Sequence, residues 1–377
     1  MKTSAAASHL SVVLAFVRSE YPVFIGLASV AFFFALGNEV LEDVRHSFLL
    51  GAIFVWLFAV ILWFAILVVR HADALAVKLG EPYGTLVLTL SAIAIEVAMI
   101  STAMLHGANN PTLARDAMFA VVMIALGGLL GVTLLVGGLR HREQHYNLQG
   151  VNSYLNVIMS LAVLGLVLPT FTTSTRGPTF STSQLIFLAI VSVLIYGIFL
   201  VIQTVRHRQH FVESGDVIGA AHRRLEVHST GFHAVMLAVY LLGVVLLAEK
   251  FAIPLDNSIE RLGMPQAFGG AIIAALVLAP EGLGAIGAAI HNQLQRSVNI
   301  LLGSVLATIG LTIPAVVTIG LVTKRSVTLG VEGGNLPLLL LTLGVSVVSF
   351  SSGKTNVLQG CVHLLLFAIF LLLIFSP

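Results

Sequence analysis

The sequence predicts an all-α integral membrane protein with about eleven transmembrane helices, arranged as one N-terminal helix and two inverted five-helix repeats. Three observations favour this fold. Hydrophobic residues make up 58% of the 377 residues and charged residues only 10%, and the mean hydropathy of +1.01 is too high for a soluble globular protein. Long stretches lack Asp, Glu, Lys and Arg. Two glutamates, Glu96 and Glu281, interrupt such stretches near their middle.

Stretches that are almost free of charge define the predicted spans, because a helix needs about twenty predominantly apolar residues to cross the hydrocarbon core. Eleven stretches qualify, and each of the two glutamates is the only charge in its stretch. They are Tyr21–Asn38, His46–Val69, Pro82–Ala114, Ala117–Leu139, Gln144–Thr175, Gly177–Val205, Val227–Ala248, Leu262–Gln295, Ser297–Thr323, Gly333–Gly353 and Thr355–Pro377. We expect no removable signal peptide before them.

The connections between the spans set the orientation and the domain boundaries. Lys and Arg are more frequent on the side that holds the N-terminus, which predicts a cytoplasmic N-terminus and, with an odd number of spans, an external C-terminus. We expect an N-terminal segment at 1–45, a first repeat at 46–205, a cytoplasmic loop at 206–230 and a second repeat at 231–377. The loop is rich in arginine and histidine, and its histidines are His207, His210, His222 and His228. They indicate either a pH sensor or a solvated linker.

An odd number of spans per repeat makes the second set enter the membrane in the opposite sense, as in transporters with inverted repeats. The second span of each set carries its central acid, Glu96 or Glu281. A buried acid costs roughly 2.5–3.5 kcal/mol at a helix centre. One interpretation is that each glutamate stays protonated and bonds a neighbouring helix. Their equivalent placement favours a shared cation site at the midplane instead.

Oxygen atoms surround both glutamates at helical spacing. Thr85 and Thr89 lie on the face of Glu96. Pro280 has no backbone N–H, so the carbonyl oxygen of Leu276 is expected to lose its helical partner and to become a possible ligand. In the next span Ser304, Thr308 and Thr312 recur every four residues. This stripe indicates either further ligands or ordinary Ser/Thr packing between helices.

Carboxylate, hydroxyl and carbonyl oxygens suit Ca²⁺, Na⁺ or K⁺, whereas Zn²⁺ and Cu²⁺ call for His or Cys ligands. A buried carboxylate without a cation tends to hold a proton, because burial disfavours its charged form. A cation and protons would then compete for Glu96 and Glu281. Mutually exclusive occupancy is the minimum chemistry of an antiporter. These ions are expected as substrates, and no cofactor is predicted.

Several long strings resemble the calcium/cation antiporter superfamily, specifically the bacterial ChaA-type calcium (sodium–potassium)/proton antiporters. The resemblance extends from about Pro22 to the C-terminus, and its strings are GEPYGTLVLTLS at 80–91, IEV at 95–97, APEGLGA at 279–285, HNQLQRSVNI at 291–300, LGSVLATIGLTIP at 302–314 and KTNVLQG at 354–360. It implies eleven helices, two inverted five-helix repeats, a bacterial inner-membrane location and an ion site built around Glu96 and Glu281.

The chain also departs from that family's pattern. Calcium exchangers of the superfamily carry Asn three residues before each glutamate, where this chain has Ile93 and Leu278. They carry Ser and Asn in the following span, where this chain has Gly128 and Val132. The resemblance therefore implies a first repeat with few oxygen ligands, and monovalent transport gains weight.

Other functions remain open at this point. A Na⁺/Ca²⁺ exchanger without proton coupling and a channel are alternatives, separable by saturable, proton-linked flux. A membrane-embedded enzyme lacks its usual motifs, and His233 and His363 are isolated on apolar segments, as packed histidines are. The 19 basic and 17 acidic residues nearly balance, so no nucleic-acid partner is expected. The single cysteine, Cys361, excludes an intrachain disulfide. The bilayer is the predicted environment, and no oligomeric state is predicted.

Overall fold

The computed structural model describes residues 20–35, 47–80, 83–106, 110–211 and 229–376, and these residues form almost exclusively helices. In chain order the helices are α1 (Tyr21–Ala35), α2 (Ser47–Leu79), α3 (Tyr83–His106), α4 (Leu113–His141), α5 (Leu148–Phe171), α6 (Thr182–Arg206), α7 (Thr230–Arg261), α8 (Ala267–Ile290), α9 (Leu294–Thr323), α10 (Asn335–Ser349) and α11 (Val357–Phe375). The only strands among them are β1 (Gln144–His145) and β2 (Lys354–Thr355).

Each of the eleven predicted spans coincides with one of these helices. Within the described residues, nine helices are long and apolar enough to cross a membrane, and this makes the chain an integral membrane protein. The other two, α1 and α10, are apolar but only 15 residues long.

Two helices are much longer than their predicted spans. The helix α2 has 33 residues and α7 has 32, which correspond to about 50 Å of helix against a hydrocarbon core of about 30 Å. The predicted spans end at Val69 and Ala248, whereas the helices continue to Leu79 and Arg261. Charged residues mark where a helix leaves the apolar core, whereas the helix itself continues until a residue such as Gly80 (φ 67°) or Gly263 (φ 61°) ends it.

A group of polar side chains joins α1, α2 and α7 at one end of the bundle. Arg70 Nη2 donates to Glu20 Oε1 at 2.8 Å, and the Tyr240 hydroxyl donates to Glu20 Oε2 at 2.6 Å. His71 Nδ1 lies 2.9 Å from His233 Nδ1, so one ring must donate and the other accept. We call these five residues the Glu20 cluster.

The helices α4 and α9 lie at the centre of the molecule and are the most enclosed, whereas α6 is the most exposed of the long helices. Glycines allow α4 to contact its neighbours closely. A Cβ atom at Gly282 of α8 would lie 2.7 Å from the Leu129 side chain of α4, and one at Gly360 of α11 would lie 2.6 Å from the backbone nitrogen of Leu135. The two central helices are thus the scaffold for any midplane site.

Both central helices contain a π-helical segment near their middle. These segments are Met123–Leu129 in α4 and Thr308–Thr312 in α9. The described residues contain two further π segments, Val163–Val167 in α5 and Ile202–Arg206 in α6. A π segment shifts the hydrogen-bond register of a helix by one residue, and such segments are frequent at functional sites.

Connections at the two ends of the bundle pair in a matching way. The strand β1, between α4 and α5, pairs antiparallel with β2, between α10 and α11. At the other end, the connection between α9 and α10 bonds to the α5–α6 connection and to α5 itself: Gly330 N donates to Pro178 O at 2.9 Å, and Val331 N donates to Leu166 O of α5 at 2.7 Å. When α2–α6 and α7–α11 are compared helix by helix, each pairing involves the connection after the third helix of one set and the connection after the fourth helix of the other. The set that supplies each connection differs between the two ends.

Candidate cation site

Glu96 is enclosed at the centre of α3. Its side chain is only 2% exposed, and its Oε2 atom accepts a hydrogen bond from Thr308 Oγ1 of α9 at 2.6 Å. Its other oxygen, Oε1, has no hydrogen-bond partner among the described residues. One half of this carboxyl group is therefore satisfied by the protein and the other half is not.

Glu281 lies on α8 directly after Pro280, and the helix continues through both residues. Its Oε2 atom accepts a hydrogen bond from Ser304 Oγ of α9 at 2.7 Å. Unlike Glu96, Glu281 is partly accessible, as is Ser304. The two carboxyl groups therefore differ in their access to the outside of the protein.

A single helix, α9, brings the two glutamates together. Ser304 and Thr308 are separated by about one helical turn, and each donates its hydroxyl hydrogen to a different carboxyl group. The charge of Glu96 is close enough to act on Glu281. Two acids that are 185 positions apart in sequence therefore bond to neighbouring turns of the same helix, and a shared cation site stays a prediction.

Thr312 also belongs to this site. It is fully buried at the end of the π segment of α9 and lies beside the Glu96 carboxyl group, to which it is a potential hydrogen-bond donor. Nevertheless, its Oγ1 atom forms no hydrogen bond with any of the described residues. The site therefore contains two unsatisfied oxygens, Glu96 Oε1 and Thr312 Oγ1.

For the other predicted ligands, Thr85, Thr89 and Leu276, the structure shows no hydrogen bond to either glutamate among the described residues. Thr85 and Thr89 lie on the Glu96 face of α3 and are partly accessible, and the Thr89 side chain interacts with the Tyr196 hydroxyl of α6. Leu276 is buried in the unbroken helix α8, and its carbonyl oxygen as a ligand stays a prediction.

The central helix α4 has glycines, without a hydroxyl, at positions 127 and 128. A Cβ atom at Gly128 would lie 3.3 Å from the Phe367 ring of α11, and one at Gly127 would lie 3.2 Å from Phe367 Cβ. These glycines therefore serve the packing of α4 against α11. Among the described residues, the hydroxyl donors to both glutamates come from one helix, α9.

Among the residues that the structure describes, no basic side chain pairs with either glutamate. Within the described part of the chain, no group of three or more His, Cys, Asp or Glu side chains is arranged to hold a metal ion. Two acids with hydroxyl neighbours can each hold a proton or jointly bind a hard cation.

Sequence reasoning missed the Glu20 cluster, because Glu20 and Arg70 lie just outside the predicted spans and His233 is predicted to be an isolated, packed histidine. A usable signal was the adjacent pair Arg70 and His71 beyond an apolar stretch. His363 is packed and bonded, as expected: its Nδ1 atom lies 2.6 Å from the Leu126 carbonyl oxygen and its Nε2 atom 3.1 Å from Ser349 Oγ.

Comparison with known proteins gives concordant matches. A family described as sodium/calcium exchanger protein matches residues 49–205 and 232–376. The sodium-potassium/proton antiporter ChaA of Escherichia coli is 41% identical over 313 residues, which are 82% of this chain and 85% of the relative. A putative ionic transporter, y4hA of Sinorhizobium fredii, is 44% identical over 310 residues, 82% of this chain and 84% of the relative.

The fold is also that of a known structure. The crystal structure of the selenium-substituted Ca²⁺/H⁺ antiporter YfkE matches with a TM-score of 0.69 at 19% sequence identity, and the match covers 94% of this chain and 99% of the other. The family matches confirm the resemblance that the sequence motifs indicate.

Proposed function

This chain belongs to the sodium/calcium exchanger protein family, and we propose that it is a secondary active antiporter that exports Na⁺, K⁺ or Ca²⁺ in exchange for protons. The E. coli relative is a sodium-potassium/proton antiporter by name. Such an activity needs a buried site at which a cation and protons exclude one another. The relatives are transporters, so no enzymatic activity is proposed.

The observation that carries this proposal is the set of neighbours of Glu96 and Glu281. Each accepts one hydroxyl hydrogen bond and neither has a basic partner among the described residues. An unpaired buried carboxylate is costly, so without a cation these groups favour the protonated form. A cation that binds both must displace their protons, and two protons leave for one Ca²⁺ if both glutamates ionise.

Ser304 and Thr308 orient the two carboxyl groups in this mechanism. Their hydroxyls fix one oxygen of each glutamate and leave the second oxygen for a cation or a proton. A hydroxyl can also turn its lone pairs towards a bound cation. The carbonyl oxygen of Leu276 is a further proposed ligand from α8.

We further propose that all eleven helices cross a bacterial inner membrane with a cytoplasmic N-terminus, and that α2–α6 and α7–α11 are inverted repeats. Three features support the repeats: the two glutamates lie on the second helix of each set, the central π segments lie on the third, and corresponding connections pair at opposite ends. The short α1 and α10 then need adjacent turns or local thinning of the bilayer to complete their crossings.

The accessibility of the two glutamates suggests that the site is open towards the cytoplasm. In the proposed orientation α8 ends and α9 begins on the cytoplasmic side, so Glu281, which is partly accessible, lies nearer that side than the enclosed Glu96. Gly287, further along α8 towards that side, leaves open space, since an added Cβ atom there would meet nothing within 4 Å. Thr85 and Thr89 on α3 are proposed to line the opposite side of the opening that leads from the cytoplasm to the site.

Inverted membrane vesicles with an acidified interior test the function directly. Na⁺, K⁺ and Ca²⁺ are added one at a time. Only a transported ion is expected to dissipate the pH gradient, and the rate should saturate at high ion concentration. Vesicles from cells that lack the protein are the control. Na⁺-driven Ca²⁺ flux without any proton movement would instead establish an exchanger without proton coupling, and no response to any cation would refute the proposed function.

A further inference from the structure

Hydroxyl groups within the helices of this protein usually bond to their own backbone. In α9 itself, Thr318 Oγ1 donates to Pro314 O at 2.7 Å and Thr323 Oγ1 donates to Ile319 O at 2.7 Å. This bond to the carbonyl four residues back is the ordinary way to satisfy a Thr side chain inside a helix. Thr312 of the same helix makes no such bond, although it is fully buried.

The π segment Thr308–Thr312 gives a physical reason for this difference. Its hydrogen bonds run over five residues rather than four, so the carbonyl groups in this turn point differently from those of an α-helix. Thr308 uses its hydroxyl for Glu96 Oε2. Thr312 is left with an unsatisfied hydroxyl beside the same carboxyl group.

Two unsatisfied buried oxygens next to each other are unusual. A buried polar atom without a partner costs about 1–3 kcal/mol, so native proteins rarely retain one without a function or a missing ligand. Here Glu96 Oε1 and Thr312 Oγ1 both lack a hydrogen-bond partner among the described residues. The Thr312 side chain is close enough to interact with the Glu96 carboxyl group. A single ligand between the two atoms would satisfy both.

We propose that Thr312 is a specificity-determining residue whose Oγ1 atom, together with Glu96 Oε1, coordinates an alkali-metal cation. This inference rests on the proposed exchange function and names its substrate class. The sealed position holds one carboxylate and two hydroxyl groups, from Thr308 and Thr312. One negative charge balances one monovalent cation, whereas a divalent cation would leave a net positive charge in an enclosed site.

Ca²⁺ would need a different position in the same site. It takes six to eight oxygen ligands and commonly more than one carboxylate, so it must engage Glu281 as well as Glu96. Glu281 and Ser304 are partly accessible, and water can complete the coordination there. Binding of Ca²⁺ should therefore depend less on the Thr312 hydroxyl than binding of Na⁺ or K⁺.

The test compares Thr312→Val, which keeps the shape and removes the hydroxyl, with Thr312→Ser, which restores it. Thr318→Val is the matched control, because it removes a hydroxyl of the same helix that bonds only to its own backbone. The apparent KM for Na⁺, K⁺ and Ca²⁺ is measured separately in inverted vesicles by proton release, with the flux normalised to inserted protein. Melting temperatures of the purified variants report any general effect on folding.

The expected result is a KM for Na⁺ and K⁺ at least about tenfold higher in Thr312→Val, with the KM for Ca²⁺ little changed. Thr312→Ser and Thr318→Val should match the wild type. An unchanged KM for Na⁺ and K⁺, an equal rise for Ca²⁺, or a wild type that exchanges Ca²⁺ alone would each overturn the inference and leave the proposed function standing. A wild type that exchanges no cation would refute the proposed function itself.

Discussion

Glu20 and the pair Glu96 and Glu281 are all enclosed by helices, but their neighbours differ in charge. Glu20 is 3% exposed and lies against Arg70, with the His71 ring 3.5 Å from its Oε2 atom. Glu96 is 2% exposed, and among the described residues its side chain accepts a hydrogen bond only from the Thr308 hydroxyl. Burial alone therefore does not tell a structural carboxylate from a transport carboxylate.

The difference lies in what compensates the charge. Arg70 permanently balances Glu20, so that carboxylate can stay ionised and hold α1 to α2 and α7. Burial alone would raise the pKa of Glu20, but hydrogen bonds from His71 and Tyr240 and the charge of Arg70 together lower it. Glu96 and Glu281 have no such partner among the described residues, which leaves their charge to be balanced by a proton or by a cargo ion.

The largest expected effect is a loss of transport, and it distinguishes Glu96 and Glu281 from Glu20. Glu96→Gln or Glu281→Gln should each reduce proton-coupled Ca²⁺ flux by roughly a hundredfold, because each removes a charge-assisted contact and an exchangeable proton together. The melting temperature should stay close to that of the wild type, since a neutral amide is less costly to bury than a charge. Flux per inserted molecule and thermal unfolding in detergent give the two readouts. Normal flux with poor membrane insertion would indicate a structural role instead.

The next effect distinguishes the two hydroxyl donors. Thr308→Val should lower cation flux by about tenfold, because it leaves both oxygens of the sealed Glu96 without a partner. Ser304→Ala should have a smaller effect, since water can replace the hydroxyl at the partly accessible Glu281. Thr308→Ser is the conservative control and should retain most of the flux. Equal losses for the two donors would contradict the difference in accessibility.

Replacement of Glu20 should change stability rather than transport chemistry. Glu20→Gln is expected to lower the melting temperature at neutral pH by several degrees and to leave the KM for cations unchanged. Because the Glu20 pKa is lowered below its ordinary value of 4.5, the stabilisation by the ionised Glu20 is present above that pH and is lost as the pH falls through the folded-state pKa. The stability gap between wild type and variant should therefore narrow in acid. A gap that widens in acid would argue against an ionised Glu20.

The smallest effect is expected from the histidine-rich loop. Replacement of His207, His210, His222 and His228 by Gln should shift the pH optimum of exchange without abolishing flux, because histidine titrates near neutral pH. His207 and His210 stack with ring centroids 5.3 Å apart, whereas His222 and His228 lie outside the described residues. An unchanged pH profile would identify the loop as a linker.

The sequence predicts the location of the helices well, because hydropathy measures the environment of a segment and the bilayer imposes that environment. It also points to Glu96 and Glu281, since an acid within an apolar stretch stands out. Helix ends are predicted less well, as the extensions of α2 and α7 beyond Val69 and Ala248 show. A charged residue ends an apolar stretch without ending a helix.

Side-chain pairing is the part that the sequence does not supply. Ser304 and Thr308 form a visible stripe, but their assignment to Glu281 and Glu96 depends on how three helices pack. The unsatisfied Thr312 depends on a π segment that no spacing rule reveals. The Glu20 cluster joins three helices through contacts between residues far apart in the chain.

The central claim is that Glu96 and Glu281 form one exchange unit, and the double variant tests it most directly. Proton-coupled Ca²⁺ flux of Glu96→Gln, Glu281→Gln and the double variant is measured in the same vesicles and normalised to inserted protein. If the two carboxyl groups share one cation, each single variant already loses nearly all exchange and the double variant is scarcely worse. Substantial exchange by either single variant, or losses that multiply in the double variant, would contradict the shared site.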